Sequence, residues 1–250
     1  MDSVDRVVFL VAGVQKGGTT ALFDYLVEHP ALSLPACKEA HFFDDEGVDW
    51  ADPDYAPYHA LFSACGPGAI RGEATPIYIY WPESLERIAA YNPAMRLILV
   101  FRDPIERAWS HWRMETARGA ETEPFAWCIR QGRARVTSNR EPDGAHRVHS
   151  YVERGFYGAQ LTHALTLFRP EQLLCLRSED LLAAPDRILR QVCDFLHAPH
   201  LTNVAPRQSH VGVSVAPEKS ITDDDRTYLN HLYSDDQKLF RKLWSDHFQR

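Results

Sequence analysis

The fold of this chain is decided by residues 7–20, which read VVFLVAGVQKGGTT. A valine-rich apolar run breaks into a turn with glycines and one lysine, and an amphipathic segment follows from Ala21 to Glu28. This order predicts a buried parallel strand, an anion-holding loop and a helix N-terminus. Glycines let the backbone approach an anion closely, and the helix dipole favours negative charge there. We therefore expect a nucleotide site in this stretch.

The composition narrows the class of protein. The 250 residues, 45% of them hydrophobic, predict a single domain over residues 1–250 with a full core. The formal charge of −7 argues against general nucleic-acid binding. Five scattered cysteines without a C-x-x-C pair argue against a disulfide framework and a zinc site, and favour the cytoplasm. No apolar run reaches the roughly 20 residues of a transmembrane helix, and the N-terminus leaves no room for a signal peptide.

Apolar runs and helical patterns alternate along the chain. Further strands are predicted at residues 32–34, 70–73, 95–101 and 173–176. Helices are predicted at residues 55–62, 82–89, 104–113, 125–131, 157–168 and 186–196, with two separate terminal helices, one capped by Thr222 and one over 235–248. This alternation predicts an α/β fold, a P-loop-like parallel sheet flanked by helices on both faces, with the ligand at the carboxyl ends of the strands.

The position of the lysine narrows the ligand of the loop. A nucleotide-triphosphatase loop reads G-x-x-x-x-G-K-[ST], with the hydroxyl on magnesium. Gly13 and Gly18 have this spacing, but Thr19 stands where that lysine belongs, and Lys16 lies earlier in the loop. The long strand at 95–101 ends in Arg102 and supplies no aspartate for magnesium. The loop therefore suits a phosphate ligand that needs no metal.

Three blocks of this sequence together resemble one known family. Residues 13–20 (GVQKGGTT), 39–44 (EAHFFD) and 102–110 (RDPIERAWS) look like those of the PAPS-dependent sulfotransferases, in the branch of the heparan sulfate sulfotransferases and their bacterial relatives. The resemblance runs from about residue 7 to residue 196. It implies the sulfotransferase fold and 3′-phosphoadenosine 5′-phosphosulfate (PAPS) as sulfuryl donor, with 3′,5′-ADP as product and no metal.

The resemblance also implies roles for single residues. The loop residues expected to hold the 5′-phosphosulfate are Lys16, Gly17, Gly18, Thr19 and Thr20. Arg102 and Ser110 match the pair that holds the 3′-phosphate, and Glu39 matches the general base, with His41 beside it. Two departures stand out. Ala74 replaces a lysine of the heparan sulfate enzymes, and their late loop over the nucleotide has only residues 207–212 as a candidate counterpart.

The residues themselves support this chemistry. Lys16 lies inside the anion loop, where a cation can stabilise the leaving oxygen of a sulfuryl transfer. A carboxylate such as Glu39 suits removal of the acceptor proton, and its apolar neighbours predict a raised pKa. An extended segment would place Glu39 and His41 on one face. Glu73 suits a site role and a structural role equally, the latter by pairing with a loop cation. Each could instead be a solvated or packed residue, and the nearby aromatic residues suit an acceptor pocket or the core equally.

These observations favour a cytoplasmic sulfotransferase that acts on a hydroxyl or amine of a small-molecule, carbohydrate or lipid acceptor. Two alternatives stay open: a P-loop kinase or nucleotide phosphotransferase, and a non-catalytic nucleotide-binding module. The position of Lys16 disfavours the first, and Glu39 disfavours the second because a binding module needs no base. No transmembrane segment or nucleic-acid partner is expected. The acceptor and the oligomeric state have no recognisable code in the sequence.

Overall fold

A computed structural model describes residues 6–62, 68–136, 144–201 and 220–248. The chain divides into two compact units, one formed by residues 1–101 and 164–210 and the other by residues 102–163 and 211–250. The candidate late loop at 207–212 lies outside the described residues. The expectation of a single domain over the whole chain stays a prediction.

The first unit is built on a parallel sheet. Its strands are β1 Phe9–Gly13, β2 Leu32–Ser33, β3 Ile70–Ala74, β4 Arg96–Phe101 and β5 Leu173–Arg177. Their order is β2-β3-β1-β4-β5, and every pairing is parallel. The predicted α/β fold with a parallel sheet is therefore confirmed. Strand β1 is the central strand, and all five of its residues are buried. Its carboxyl end therefore lies in the middle of the row of strand ends.

Ten α-helices lie in the described residues: α1 Thr19–Leu26, α2 Ala56–Ala60, α3 Ser84–Tyr91, α4 Pro104–Ala117, α5 Phe125–Cys128, α6 Ala145–Val148, α7 Tyr157–Leu167, α8 Ser178–Ala183, α9 Pro185–Leu196 and α10 Asp223–His247. Helices α1 and α9 bury their apolar faces in one core with β1 and β4. In α9 the buried residues recur three or four positions apart, as expected for a helix with one face on a core.

The second unit has its own core of aromatic and aliphatic side chains. Trp109 and Trp112 of α4 stack at 4.9 Å between ring centroids and pack with Phe125 of α5. The predicted start of α4 is confirmed, because the carboxylate of Asp103 accepts hydrogen bonds from the backbone N–H groups of Ile105 and Glu106.

The expectation of two terminal helices is wrong. Helix α10 runs without a break for 25 residues, through the predicted start of the second helix at Asp235. No glycine or proline interrupts this stretch. Asp235 pairs with Lys238 at 2.8 Å, whereas the side chain of Asp236 accepts hydrogen bonds from the N–H groups of Gly158 and Ala159. The acidic residues that suggested a helix start therefore have partners within a continuous helix.

Candidate active site

The glycine loop, residues 13–20, joins the carboxyl end of β1 to the N-terminus of α1. Gly18 has a φ of 97° and precedes the first helical residue, and Lys16 also has a positive φ, of 68°. Such values are uncommon outside glycine, and a lysine adopts one only where the surroundings require it. Thr19 is buried, whereas Lys16 is partly exposed and Thr20 is exposed. The predicted strand, loop and helix therefore occur in the predicted order.

Gly17 is the residue that leaves no room for a side chain. A Cβ atom placed there would lie 2.1 Å from the carbonyl oxygen of Val100 in β4 and 2.9 Å from that of Val14. The N–H of Gly17 donates to the carbonyl of Val14 at 2.8 Å, and the N–H of Val14 donates to that of Val100 at 3.1 Å. The loop is thus folded back against β4 through backbone contacts, which only glycine permits at this position.

A second segment, residues 38–44 (KEAHFFD), lies at the carboxyl end of β3, the strand that pairs with β1. The N–H of Glu39 donates to the carbonyl of Ala74 at 3.0 Å, and that of His41 donates to the hydroxyl of Thr75 at 3.4 Å. The hydroxyl of Tyr78 accepts from the N–H of Phe42 at 3.2 Å. Side chains that follow β3 therefore hold the KEAHFFD segment in place.

The side chains of Glu39 and His41 meet, but not for the predicted reason. Their φ values are 68° and 52°, so the segment is not extended and the predicted strand-like geometry is wrong. The left-handed backbone nevertheless brings His41 Nε2 to 3.4 Å from Glu39 Oε2. On its other side, His41 Nδ1 lies 2.9 Å from the buried carboxylate of Asp44, and Lys38 Nζ lies 2.5 Å from Glu39 Oε1.

The charges in this group correct the expected pKa of Glu39. Burial raises that pKa, as predicted, but the hydrogen bond from His41 and the charge of Lys38 outweigh it and lower the pKa to about 2. Burial lowers the pKa of His41, while its hydrogen bonds to Asp44 and Glu39 raise it to about 9. At neutral pH, His41 is therefore protonated and Glu39 is ionised, because each opposite charge stabilises the other.

Glu73, at the end of β3, has a different environment. Its carboxyl group is 1% exposed, and Oε2 accepts a hydrogen bond from the hydroxyl of Thr75 at 2.7 Å. Among the residues that the structure describes, Oε1 has no hydrogen-bond partner, and the alternative of a pairing with a loop cation is not observed there. Burial raises the pKa of Glu73 to about 7, against the opposing hydrogen bonds of Thr75 and Tyr78. The pKa values of Glu39 and Glu73, which both lie near the carboxyl end of β3, are thus shifted in opposite directions.

Arg102 and Ser110 belong to the second unit. Arg102 follows directly after β4, is partly buried, and lies 4.0 Å from the carboxylate of Glu106. Ser110 lies in the middle of α4 and is also partly buried. Arg107, by contrast, is fully buried and donates to the carbonyl of Tyr151 within the core, in agreement with a structural role.

Sequence reasoning did not assign roles to Lys38, Asp44, Thr75 or the hydroxyl of Tyr78. Asp44 lies inside one of the three family-like blocks, which is a signal that could have identified it. Thr75 and Tyr78 follow the end of a parallel strand, where ligand sites are found. Their contacts to residues 34 to 36 positions earlier could not be read from local patterns.

A model of a known protein family matches most of this chain. The model described as a sulfotransferase domain matches residues 7–211, which include the whole parallel sheet, the glycine loop and the KEAHFFD segment. The chain belongs to the sulfotransferase family. The predicted family is therefore confirmed.

Curated relatives of this sulfotransferase include enzymes with carbohydrate acceptors in their names. It is 32% identical over 190 residues to the human heparan sulfate glucosamine 3-O-sulfotransferase 3B1, a match that covers 75% of this chain and 45% of the relative. The chain thus spans less than half the length of that enzyme. It is also 24% identical to the membrane-associated sulfotransferase kil1 of Dictyostelium discoideum, over 95% of this chain and 65% of that protein.

Solved structures agree with the fold of this sulfotransferase. A sulfotransferase from Alicyclobacillus acidocaldarius matches it with a TM-score of 0.79 and 25% identity, over 96% of each chain. The sulfotransferase domain of the Synechococcus PCC 7002 olefin synthase shares the fold alone, with a TM-score of 0.53 and 14% identity over 91% of this chain and 94% of that one. Within the described residues, every helix is too short or too polar to cross a membrane.

Proposed function

We propose that this sulfotransferase moves a sulfuryl group from PAPS to a hydroxyl or amine of a small-molecule, carbohydrate or lipid acceptor. One observation carries the proposal: the glycine loop and the KEAHFFD segment lie at the carboxyl ends of the neighbouring parallel strands β1 and β3. Ligands of open α/β sheets bind at such strand ends. The loop offers backbone amides and Lys16 to an anion, and the segment offers a carboxylate to a proton.

The glycine loop would hold the 5′-phosphosulfate of the donor. Backbone N–H groups at the start of α1 point outward from the helix, and the helix dipole favours an anion there. The partly exposed Lys16 supplies a positive charge to the oxygen that bridges phosphorus and sulfur. That oxygen gains negative charge as its bond to sulfur breaks, so this charge stabilises the transition state more than the ground state.

Glu39 would act as the general base. As the acceptor oxygen forms its bond to sulfur, its proton passes to the Glu39 carboxylate, and the bridging O–S bond breaks. The electron pair of that bond stays on the 5′-phosphate of the released 3′,5′-ADP. His41, protonated and 3.4 Å from Glu39, orients this carboxylate and in turn is held by Asp44.

The low pKa of Glu39 in the empty protein is compatible with the binding of an anionic donor beside it. A negative charge near a carboxylate raises its pKa, and it also raises the pKa of a histidine. Binding of a multiply charged donor beside this group would therefore make Glu39 a stronger base than in the empty protein. Lys38 and His41 keep Glu39 ionised until then.

Arg102 and Ser110 are the proposed ligands of the 3′-phosphate, on the basis of the family resemblance. A guanidinium group offers paired donors that match a phosphate, and a hydroxyl adds another. A charged hydrogen bond contributes about 1.5–3 kcal/mol. Arg102→Met should therefore weaken 3′,5′-ADP binding by roughly ten- to a hundred-fold and leave 5′-AMP binding nearly unchanged. An equal loss for both nucleotides would remove Arg102 from this role.

Calorimetric titration with 3′,5′-ADP and with ATP–Mg²⁺ tests the donor. We expect 3′,5′-ADP to bind tightly and ATP–Mg²⁺ weakly or not at all. Tight binding of ATP–Mg²⁺ alone would favour a P-loop kinase, and nucleotide binding without sulfuryl transfer to any acceptor would favour a binding module. In a separate assay of sulfuryl transfer from PAPS, Lys16→Ala should lower the transfer rate by about 10²–10³-fold. Lys242→Ala, which changes an exposed lysine of α10, serves as the matched control.

We also propose that the enzyme is located in the cytoplasm. The scattered spacing of the five cysteines, without a C-x-x-C pair, supports a reducing compartment such as the cytoplasm. Measurement of free thiols in protein purified without reductant would test this, and a disulfide in that material would contradict it.

A further inference from the structure

The surface beside His41 combines aromatic rings with carboxylates. Phe42 follows His41 directly, and its ring lies 5.6 Å from that of Trp50 and 5.7 Å from that of Tyr55. All three rings are partly exposed, and Phe42 stacks at 4.8 Å on the buried ring of Tyr58. We call Phe42, Trp50 and Tyr55 the aromatic platform. The ring planes of Trp50 and Tyr55 are inclined by 71° and 47° to that of Phe42, so the three rings form an angled apolar surface.

Carboxylates neighbour the rings of this platform along the chain. Residues 44–54, the acidic segment, read DDEGVDWADPD and contain six acidic residues. Asp45, Asp49, Asp52 and Asp54 are exposed, and no lysine or arginine occurs between Glu39 and Ile70. The charge of Arg6 acts on Tyr55, but the exposed carboxylates outnumber it, so the local potential on this side of His41 is negative.

The acidic segment is fixed against the rest of the unit. Trp50 Nε1 donates to the carbonyl of Asp45 at 2.9 Å, and the guanidinium of Arg87 lies 4.4 Å from the centre of the Trp50 ring. Arg87 is nearly buried and also pairs with Glu46 at 2.8 Å. The positive charge of Arg87 is thus paired inside the unit. It therefore offsets little of the negative potential of the exposed carboxylates.

We infer that the acceptor of this sulfotransferase is a sugar without negative charge, which packs against the aromatic platform beside His41. The inference rests on the proposed function, because it concerns the acceptor half of the same site. Heparan sulfate, named in the human relatives, is a polyanion and is repelled by a surface of this charge. A neutral or amine-bearing sugar meets both the apolar rings and the carboxylate rim.

The test uses glucosamine oligosaccharides of equal length with different charges: N-acetylated and neutral, deacetylated and cationic, and a heparan sulfate fragment as the anion. Binding of each to the protein saturated with 3′,5′-ADP is measured for the natural chain and for Asp49→Lys/Asp52→Lys/Asp54→Lys. For the natural chain we expect no measurable binding of the heparan sulfate fragment. The triple variant should bind that fragment at least ten-fold more tightly than the natural chain does.

Two further variants control for a general effect of net charge and for misfolding. Glu171→Lys/Asp235→Lys/Asp246→Lys makes the same change in net charge at exposed positions elsewhere and should gain no affinity. Asp49→Asn/Asp52→Asn/Asp54→Asn removes the charges but keeps a side-chain oxygen at Asp49 and Asp54 for the N–H groups of Ala51 and Ala56, so it controls for folding. It should shift heparan sulfate affinity in the same direction as the lysine variant, by less.

Different results of these binding measurements would contradict the inferred acceptor, the role of the aromatic platform or the proposed donor. Tight binding of the heparan sulfate fragment to the natural chain, or no gain in the triple lysine variant, would overturn the inference. Trp50→Ala should weaken any neutral or cationic oligosaccharide that binds by at least ten-fold, and an unchanged affinity would remove the platform from acceptor binding. Failure of 3′,5′-ADP to bind in the first step would instead contradict the proposed donor, which separates the two proposals.

Discussion

The glycine loop and the KEAHFFD segment lie at the ends of neighbouring strands, yet they are held in different ways. The loop is held by backbone contacts: Gly17 packs against the carbonyl of Val100, and its N–H bonds within the loop. The KEAHFFD segment is held by side chains from beyond β3, chiefly Thr75 and Tyr78. Both use left-handed backbone at the residues proposed for chemistry, Lys16, Glu39 and His41.

This difference indicates which changes each region tolerates. The loop depends on the absence of side chains, so adding one atom should disturb it more than altering a polar group. The KEAHFFD segment depends on distant polar groups, so removing a hydroxyl or a charge should disturb it while leaving the loop intact.

Glu39→Gln should have the largest effect. The amide keeps the size of the side chain but cannot take the acceptor proton, and general-base catalysis contributes roughly 10²–10⁴-fold in rate. We expect kcat to fall by that amount while the affinity for 3′,5′-ADP changes little, since the loop is untouched. Glu179→Gln, at an exposed position, is the control. A kcat within three-fold of the natural value would end the assignment of Glu39 as base.

Glu73→Gln should change the pH dependence of stability. The pKa of Glu73 rises from 4.5 to about 7 on folding because burial disfavours its charge. This group therefore contributes its full stability below about pH 4.5 and loses it as the pH rises through 7. At about 1.4 kcal/mol per pH unit, the loss is roughly 3 kcal/mol as an upper limit.

Urea unfolding at pH 5 and pH 8 measures this effect. The natural chain should lose free energy of unfolding between the two values relative to Glu73→Gln, which carries no proton to lose. An identical pH dependence in both proteins would mean that Glu73 is not protonated in the folded state.

Gly17→Ala should destabilise the loop by about 1–3 kcal/mol, the usual cost of overpacking, because its Cβ would lie 2.1 Å from a backbone oxygen. Donor binding should weaken with it. Gly47→Ala is the matched control, since its nearest neighbour is the side chain of Asp45, which can move. If thermal unfolding and 3′,5′-ADP affinity change equally in both variants, the backbone contact with Val100 is not what holds the loop.

Tyr78→Phe should have the smallest effect, about 1 kcal/mol for one lost hydrogen-bonding hydroxyl. The hydroxyl of Tyr78 accepts from the N–H groups of Phe42 and Phe43 at 3.2 and 3.5 Å. Hydrogen exchange should therefore accelerate at these two amides and stay unchanged at Gly17. Faster exchange in the glycine loop would show that the two regions are not held independently.

Much of the fold could be predicted because its signals are local. A buried strand, a glycine turn and an amphipathic helix follow one another within residues 7–28, and each has a sequence pattern set by its own backbone requirements. The N-cap at Asp103 was equally readable. The division of the last helix into two was wrong because acidic residues such as Asp235 resemble a helix start. In the structure Asp235 pairs with Lys238 of the same helix, and Asp236 accepts hydrogen bonds from the backbone of α7.

The electrostatics of the site could not be predicted in the same way. The apolar neighbours of Glu39 in sequence suggested a raised pKa, but its neighbours in space, Lys38 and His41, lower it. The sequence left the role of Glu73 open, and the structure buries this residue beside the hydroxyl of Thr75. A pKa depends on charges and burial in three dimensions, and the sequence order of a loop conveys neither.

The strand, the glycine loop with Lys16 and the three blocks that resemble a sulfotransferase can be read from the sequence, because each depends on residues close together in the chain. The pairing of β3 with β1 is visible only in the folded structure, and it brings the KEAHFFD segment to the carboxyl ends of the strands, where the loop begins. It also decided that Glu39 is ionised beside a protonated His41, because burial and Asp44 set those charges.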